Sequence, residues 1–275
     1  MSHPFVVLDP RQPSVDFRNR CALSVMAKAP VAGQVKTRLT PPLTREQAAG
    51  LNACFLRDTV DSLADAAAPT GARWIVSYMP IGEEAAFVGI LPPGALLLPQ
   101  RGDGFGERLL GTAEDLFTCG FSSVCLIDSD SPTVPTGAFV RAVEELAAWG
   151  DRVVLGPADD GGYYLLGLKQ RHKRLFGNIA WSTAAVAQQT RERAKQLGLP
   201  VVLLPTWYDI DDASSLERLG RELLSGSPEA PSQSAAYPGP CTRAFLQQIG
   251  WSLNHAPSDA TPNHFHESEL ANFPS

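Results

Sequence analysis

Two aspartates stand at the end of an apolar run, in the stretch VCLIDSDSPTVP over residues 124–135. One serine separates Asp128 from Asp130, a spacing that puts two side chains on the same face of a regular strand. Where a strand ends the chain does turn, and both carboxylates can then converge on one hard cation such as Mg²⁺ or Mn²⁺. Two buried carboxylates without a cation would repel each other, so this pair predicts a metal site. A solvent-facing aspartate turn is the simpler alternative.

A second stretch, AKAPVAGQVKTRL, follows an earlier apolar run and is rich in cations. Lys28, Lys36 and Arg38 lie within eleven residues, and Gly33 gives the loop between them flexibility. Ammonium and guanidinium groups bind phosphate oxygens through charge-assisted hydrogen bonds. The position of the loop after a strand favours phosphate binding over a merely solvated charge cluster. It is not a P-loop, because the pattern G-x-x-x-x-G-K-[ST] is absent.

Three further clusters come after predicted strands. In QRGDGFGERL, Gly106 and its neighbouring glycines precede a helix, so backbone amides there could approach a ligand, although a tight turn explains the pattern equally well. In GPADDGGYY, the residues Asp160, Gly161 and Gly162 stand between two strands and leave room for a substrate beside the backbone. In WYDIDDASSL, Asp211 could complete a carboxylate set with the aspartate pair.

Strand-like and helix-like segments alternate for some 200 residues, and this pattern is typical of a mainly parallel sheet flanked by helices. Predicted strands include residues 21–27, 73–79, 95–99, 122–128 and 201–205. One more strand is predicted on each side of PADDG. Helix starts are predicted from a capping box at Thr44 and Gln47, from Thr136, from Ser182 and from Asp212. The fold class expected is therefore α/β.

Composition bears on the binding partners, the location and the domain organisation of the protein. The chain has 275 residues and a formal net charge of -6, which argues against a nucleic-acid partner. No apolar run approaches a membrane span, and the apolar patch near the N-terminus is too short for a secretory signal, so a cytoplasmic protein is expected. The five cysteines form no C-x-x-C pair. Three regions are predicted: an N-terminal extension over 1–20, an α/β domain over 21–224, and a linker, short helix and disordered tail over 225–275.

With these motifs in order, the chain resembles the bacterial radical-SAM/selenodomain-associated transferase family, a group of GT-A glycosyltransferases linked with arsenosugar synthesis. The matching stretches are AKAPVAGQVKTRL, GFGERL, DSDSP, GPADDGGYYLLGL, WST and WYDID, which run from about Cys21 to Leu224. The group is also similar to 2-phospho-lactate guanylyltransferase and to the molybdenum-cofactor nucleotidyltransferases. The resemblance implies a three-layer sandwich with the nucleotide-diphospho-sugar transferase fold.

The resemblance also implies roles for individual residues. It implies Mg²⁺ or Mn²⁺ on Asp128, Asp130 and Asp211, and catalytic roles for Asp128, Asp130 and Lys36. The residues expected to bind the nucleotide are Lys28, Gly33, Lys36, Arg38, Gln100, Gly106 and Arg108, with Gln100 at the base. Those expected to shape the sugar and acceptor sites are Asp160, Gly161, Gly162, Tyr163 and Trp181.

Two reactions stay open at this point. A metal-dependent glycosyltransferase would move a sugar from a nucleotide-sugar donor to a small acceptor, and the family resemblance favours it. A nucleotidyltransferase would move a nucleoside monophosphate from a nucleoside triphosphate to a phosphorylated small molecule, and the three-cation loop favours it. An aspartyl phosphatase also uses Asp-x-Asp at a strand end, but that motif usually opens the domain. A nucleotide sensor without catalysis would not need the second carboxylate cluster.

Overall fold

The computed structural model describes residues 3–225 and 235–251 of the chain, and this part contains eight β-strands. In chain order they are β1 Val6–Val7, β2 Cys21–Lys28, β3 Arg73–Met79, β4 Leu96–Pro99, β5 Ser123–Ile127, β6 Val153–Pro157, β7 Tyr163–Leu168 and β8 Val201–Leu203. All eight join one sheet in the order β1-β4-β3-β2-β5-β7-β6-β8. β7 runs antiparallel to both of its neighbours, and the other pairings are parallel.

Six α-helices accompany the sheet in the described residues. They are α1 Arg45–Thr70, α2 Phe105–Cys119, α3 Thr136–Ala147, α4 Val186–Gln196, α5 Ala213–Leu224 and α6 Pro240–Gln248. α1 and α3 pack on one face of the sheet, where residues such as Leu63 and Phe139 contact the strand core. α2 and α4 cover the other face through residues such as Leu116 and Ala194. The result is the expected three-layer α/β sandwich.

The central strand β5 shows why both faces must be covered. Its residues alternate between the two cores, with Cys125 and Ile127 in one and Val124 and Leu126 in the other. All four side chains are buried. A strand that is apolar on both faces is stable only between two helical layers. Burial on both sides therefore fixes where the strand ends, and Asp128 is the first residue beyond it.

Of the four residues predicted to cap or open a helix, two do so and two do not. The capping box of Thr44 and Gln47 opens α1, and the Asp212 carboxylate accepts a hydrogen bond from the Ser215 amide at 2.8 Å to cap α5. Thr136, however, is the first residue of α3 rather than its cap, and its hydroxyl shares a hydrogen bond with Ser62 on α1 at 2.8 Å. The prediction that Ser182 opens a helix is also wrong.

The reason for the late start of α4 lies in its surroundings. Ser182 has a φ of 62°, which a helix cannot accommodate, and α4 begins four residues later at Val186. The intervening residues fold over the loop that contains Gly161, whose carbonyl accepts a hydrogen bond from the Ala187 amide at 3.0 Å. A tertiary contact with a distant loop thus overrides the local capping signal.

The C-terminal part of the described chain returns to the core. α6 packs against α1 and α5 in a third apolar cluster that includes Phe55, Leu219 and Leu246. A short helix that docks back was expected between residues 242 and 254, and α6 occupies the beginning of that interval. The expected linker falls largely on residues 226–234, and the expected disordered tail on residues 252–275, both outside the described residues. The three-region division of the chain stays a prediction.

Two further observations concern the ends of the architecture. Residues Val6 and Val7 pair with β4 and extend the sheet, although the sequence predicted only an extension there. Among the helices of residues 3–225 and 235–251, none has both the length and the apolar character needed to cross a membrane.

The contact between α1 and α6 makes a direct test of packing possible. A Cβ atom at Gly50 would lie 2.7 Å from Cε2 of Phe245, so Gly50→Ala should lower the free energy of unfolding by about 1–3 kcal/mol. In a Phe245→Ala background the clash is gone, and the same Gly50→Ala change should raise that free energy by about 0.5–1 kcal/mol through helix propensity. Urea denaturation of the four proteins measures both effects. An equal loss in the two backgrounds would contradict this packing.

Candidate active site

The strand order places β2 and β5 side by side at the centre of the sheet, where the chain reverses its direction of growth. From β2 the chain proceeds to β3 on one side, and it later returns to β5 on the other side of β2. Val25 and Ile127 are directly paired, so Lys28 and Asp128 end neighbouring parallel strands at the same edge of the sheet. Loops that leave such a switch point in opposite directions open a crevice, the usual ligand site of open α/β sheets.

A buried lysine occupies the centre of this crevice. The Nζ atom of Lys36 lies 2.9 Å from Oδ1 of Asp130 and 2.9 Å from Oδ1 of Asp211. It also donates a hydrogen bond to the carbonyl of Ile210 at 2.7 Å. The side chain of Lys36 is only 5% exposed, whereas those of Asp130 and Asp211 are 36% and 49% exposed. One ammonium therefore joins two carboxylates that come from distant parts of the chain.

The balance of forces on Lys36 decides its charge. Burial by itself would lower the pKa of the ammonium, but the charges of Asp130 and Asp211 outweigh burial and the net shift is upward. Lys36 adopts a left-handed backbone conformation with φ 47°, and its Nζ lies 5.8 Å from the centre of the Phe55 ring. The lysine is thus held as a cation that points inward, toward the aspartates.

Asp128 is the most strongly perturbed carboxyl group of the crevice. Its pKa is raised well above the ordinary value, first by burial and then by the neighbouring charge of Asp130, with a smaller contribution from Asp209. The hydroxyl of Ser131 donates a hydrogen bond to its Oδ2 at 2.8 Å, which partly offsets this shift. Its backbone amide donates to the carbonyl of Tyr164 at 3.0 Å, which ties the residue to β7.

The three cations predicted to bind phosphate differ in their exposure to solvent. Lys28 is exposed, and its Nζ donates a hydrogen bond to the carbonyl of Gln34 at 3.0 Å within the same loop. Arg38 is exposed too, and it lines a cleft that contains several aspartates. Because Lys36 points inward, the loop presents two exposed cations rather than three.

The other residues expected at the nucleotide have the following positions. Gly33 has a φ of 75° and lines a small cavity of about 290 Å³ next to the cation loop. Gln100 is buried at the end of β4, and its amide nitrogen donates to the carbonyls of Ser77 at 2.6 Å and Ala27 at 3.3 Å. Arg108, on α2, donates to the carbonyl of Asp103 at 2.8 Å. Only the side-chain carbonyl of Gln100 is left for a ligand.

Glycines allow two close approaches beside the crevice. Gly106 lies directly against the indole nitrogen of Trp181, so any side chain there would displace the ring. Trp181 also makes an edge-to-face contact with Phe105, with ring centroids 5.8 Å apart. Gly161, with φ 91°, packs against the carbonyl of Ala184 and has no space for a Cβ atom. These glycines therefore serve packing within the protein, whether or not a ligand also approaches them.

The loop between β6 and β7 contains the remaining predicted substrate residues. The carboxylate of Asp160 accepts a hydrogen bond from the Gly162 amide at 2.7 Å, which shapes the turn. The hydroxyl of Tyr163 is buried without a hydrogen-bond partner among the described residues, and burial raises the pKa of this phenol. A buried hydroxyl in that condition costs free energy unless a further group satisfies it.

A cleft of about 370 Å³ connects the crevice to solvent and is strongly acidic. Its wall has five aspartates and two arginines, together with Tyr208 and two serines. The aspartates are Asp159, Asp160, Asp209, Asp211 and Asp212, and the arginines are Arg38 and Arg218. The cleft therefore has an excess of negative charge beside the half-buried aspartate pair.

One residue in the wall of the acidic cleft, Arg218, was not predicted from the sequence. Arg218 forms an ion pair with Asp159 at 2.8 Å, and its guanidinium lies 3.6 Å from the centre of the Tyr208 ring. Arg218 belongs to α5, where an arginine on an amphipathic helix gives no local signal of a role. Asp159 was visible in the ADDGG stretch, but its partner lies 59 residues away.

The residues of the crevice fit a divalent cation, although not as a complete set of protein ligands. Across residues 3–225 and 235–251, no three or more His, Cys, Asp or Glu side chains are grouped so that they could hold a metal. Mg²⁺ is usually held by one or two carboxylates, with phosphate oxygens and waters as the other ligands. Asp128 and Asp130 offer such hard oxygens, and burial together with the charge of Asp130 raises the pKa of Asp128. Lys36 engages both Asp130 and Asp211, and the roles of all three aspartates as metal ligands stay predictions.

Comparisons with known proteins agree with this architecture. A family model described as "Uncharacterized protein conserved in bacteria (DUF2064)" matches residues 59–183, a range that includes the aspartate pair and the loop of Asp160. Among curated proteins, none matches the sequence. The radical-SAM and arsenosugar aspects of the resemblance are not tested by these findings and stay predictions.

Two solved structures define the fold. One, from Desulfovibrio desulfuricans G20, is described as a nucleotide-diphospho-sugar transferase and is 29% identical, with a TM-score of 0.69 over 84% of this chain and 95% of that one. The other is 4-diphosphocytidyl-2C-methyl-D-erythritol synthase from Anaerococcus prevotii, 10% identical, with a TM-score of 0.50 over 76% of this chain and 99% of that one. The chain has the nucleotide-diphospho-sugar transferase fold, as predicted.

The acidic cleft predicts a specific dependence of stability on pH. Burial, followed by the charges of Asp160 and Asp211, raises the pKa of Asp209 from its ordinary 3.8 to about 6. Because the folded pKa is the higher one, the stability that protonation provides is fully present below about pH 4 and is lost as the pH rises through 6. Asp209→Asn should therefore be more stable than wild type above pH 6, by about 1 kcal/mol after allowance for solvent screening, and equal to it below pH 4.

Urea denaturation at several pH values measures this difference, and Asp212→Ala provides a control of opposite sign. The pKa of Asp212 is lowered by hydrogen bonds from Ser215 and Ser214, so this cap contributes most at neutral pH. Its removal should cost about 1 kcal/mol there. A stability difference for Asp209→Asn that does not change with pH would contradict the electrostatic description.

Proposed function

We propose that this protein is a divalent-metal-dependent glycosyltransferase that uses a nucleotide-sugar donor and a small acceptor. The observation that carries the proposal is the position of Asp128 and Asp130 at the switch point, beside the loop of Lys28 and the acidic cleft. The similarity to the Desulfovibrio desulfuricans structure, described as a nucleotide-diphospho-sugar transferase, supports the donor class.

In this proposal, the two sides of the crevice bind different parts of the donor complex. Lys28 and Arg38 are exposed at the loop after β2 and would contact the diphosphate oxygens of the donor. Asp128 and Asp130 would hold Mg²⁺ or Mn²⁺, which when bound neutralises the charge of the leaving diphosphate. Lys36 keeps Asp130 and Asp211 in place and, through its partly buried charge, orients both carboxylates.

The side chains near the cleft would position the sugar and the acceptor. Asp160 and the glycines after it form a turn at the cleft wall, and the Trp181 ring packs against Gly106. The unsatisfied Tyr163 hydroxyl is a candidate partner for a substrate hydroxyl. These residues are among those that the sequence predicted to shape the sugar and acceptor sites.

The charge of the cleft is the observation that separates the two reactions. Nucleotidyl transfer needs a phosphorylated acceptor, whose dianion would face five aspartates and two arginines, one of them already paired with Asp159. Like charges in such a site disfavour binding. A neutral hydroxyl-bearing acceptor meets no such penalty, and this favours glycosyl transfer. The exposed cations of the loop after β2 keep nucleotidyl transfer as the alternative.

The leaving group distinguishes the alternatives directly. Glycosyl transfer releases a nucleoside diphosphate, whereas nucleotidyl transfer from a triphosphate releases pyrophosphate. A thermal-shift screen of nucleotides and nucleotide sugars, with and without Mn²⁺, would first identify the donor. Product analysis with that donor then decides between the two reactions, and pyrophosphate release would overturn the glycosyltransferase proposal.

Metal dependence should be sensitive to Asp130. Asp130→Asn keeps the shape of the side chain but removes one ligand charge, so Mn²⁺-dependent nucleotide binding should weaken at least about tenfold and turnover should be lost. The fold should persist, because Lys36 retains Asp211 and the Ile210 carbonyl. Isothermal titration with and without Mn²⁺ measures the change. Asp65→Asn, an exposed change on α1, is the matched control. Unchanged turnover in Asp130→Asn would contradict the metal role.

Phosphate binding should depend on Lys28. Lys28→Ala should weaken nucleotide binding by about 1–3 kcal/mol, with a larger loss for a triphosphate than for a monophosphate, because a charge-assisted contact disappears. Lys195→Ala, an exposed change on α4, serves as the control for a general change in charge. If Lys28→Ala binds every nucleotide as wild type does, the loop does not contact phosphate.

A further inference from the structure

A pair of cysteines joins the C-terminal helix to the core, far from each other in sequence. Cys54 lies in α1 and Cys241 in the first turn of α6, 187 residues later. The two sulfur atoms are 2.9 Å apart, with the Cys241 thiol donating to Cys54 Sγ. A disulfide bond requires a separation of about 2.05 Å, so a movement of about 1 Å would join them.

The two thiols differ in the ways that ordered thiol–disulfide exchange needs. Cys54 is buried, whereas Cys241 is partly exposed. When Cys241 ionises, the Cys54 thiol can donate a hydrogen bond to it, and this contact lowers the pKa of Cys241 while raising that of Cys54. Burial and Asp58 oppose the lowering, and Arg57 assists it. A thiolate at the start of a helix is the usual attacking group in such reactions.

The anchorage of α6 places the two thiols in register. Asp58, one turn after Cys54 on α1, is fully buried and accepts hydrogen bonds from the amides of Cys241 at 2.9 Å and Thr242 at 2.8 Å. The Phe245 ring lies on Gly50, one turn before Cys54. The contact between the sulfurs therefore lies between two fixed points of the helix pair.

The same segment reaches the loop of the candidate active site. The Tyr237 amide donates a hydrogen bond to the carbonyl of Thr133 at 2.9 Å. The hydroxyl of Thr133 in turn accepts from the indole nitrogen of Trp207 at 3.1 Å. Thr133 belongs to the loop that begins with Asp128 and Asp130. The segment that leads into α6 therefore also contacts the loop of Asp128 and Asp130.

We propose that Cys54 and Cys241 form a reversible disulfide that locks residues 235–251 onto α1 and against the loop of Asp128 and Asp130. The oxidant is a low-molecular-weight disulfide of the glutathione class. The Cys241 thiolate attacks one sulfur of that disulfide and releases one thiolate. The Cys54 thiol then loses its proton and attacks the Cys241 sulfur, which releases the second thiolate. Two protein thiols are oxidised and one external disulfide is reduced to two thiols.

Another cysteine pair in the molecule provides an internal comparison. The sulfurs of Cys21 and Cys125 are 3.9 Å apart between β2 and β5, and both side chains are buried in the core. An external disulfide cannot reach them while the protein is folded. Oxidation of the native protein should therefore select the pair on α1 and α6.

Thiol counting and peptide mapping test the disulfide itself. Wild-type protein treated with glutathione disulfide should lose two of its five thiols and yield one linked peptide pair containing Cys54 and Cys241. Cys54→Ser should instead retain a glutathione adduct on Cys241, and Cys241→Ser should lose no thiol. Cys119→Ser, a buried cysteine of α2, is the matched control and should still form the linkage.

Several outcomes would overturn the proposal. They are five thiols remaining in oxidised wild type, a linkage between Cys21 and Cys125, or a linkage between two chains. The wild-type map decides the matter even if a serine variant fails to fold. None of these results depends on the proposed transferase activity.

Hydrogen exchange tests the lock in wild-type protein. Oxidation should slow exchange at the amides of Cys241, Thr242 and Tyr237, which donate the anchoring hydrogen bonds, and in the loop over residues 128–135. α2, on the opposite face of the sheet, should exchange at the same rate in both states. If the disulfide forms but exchange at Tyr237 and in the loop does not change, the proposed lock is wrong.

Discussion

The ion pairs of Lys36 with Asp130 and Asp211 are the constraint on which the site depends. They join the loop after β2, the loop after β5 and the segment before α5, three parts of the chain that are separated by as many as 175 residues. The hydrogen bond from the Ile210 amide to the Asp130 carbonyl, 3.0 Å long, reinforces the same junction. A buried ammonium is tolerated only when such partners are present. Without it, Asp130 and Asp211 would face each other with no positive charge between them.

The ion pairs of Lys36 do not neutralise all the negative charge of the crevice. One lysine is shared by two aspartates, while Asp128 remains buried nearby with its pKa raised. The adjoining cleft adds further aspartates, of which Asp209 also has a raised pKa. In the proposed function, this charge would favour the binding of a divalent cation and would disfavour an acceptor with a negative charge.

The C-terminal segment couples to this site from behind. α6 is anchored on α1 by a buried carboxylate, by ring packing and by the cysteine contact, and Tyr237 contacts the loop that begins at Asp128. The loop is therefore supported on one side by the lysine junction and on the other by a segment far along the chain. Thr133 is the residue of this loop that contacts both Tyr237 and Trp207.

Local sequence signals account for most of the strands and helices. The apolar run that ends at Asp128 and the capping pattern at Thr44 are local signals, and the strand and helix lie where these signals predict them because burial and hydrogen bonding act on neighbouring residues. The aspartate pair at a strand end could likewise be found without coordinates. The contacts that these residues make, in contrast, depend on the tertiary fold. Lys36 turns to the aspartates rather than to solvent, Thr136 and Ser182 lose their predicted capping roles to distant contacts, and Cys54 meets Cys241 across 187 residues. Such pairings depend on how whole elements pack together, and no short stretch of sequence contains that information.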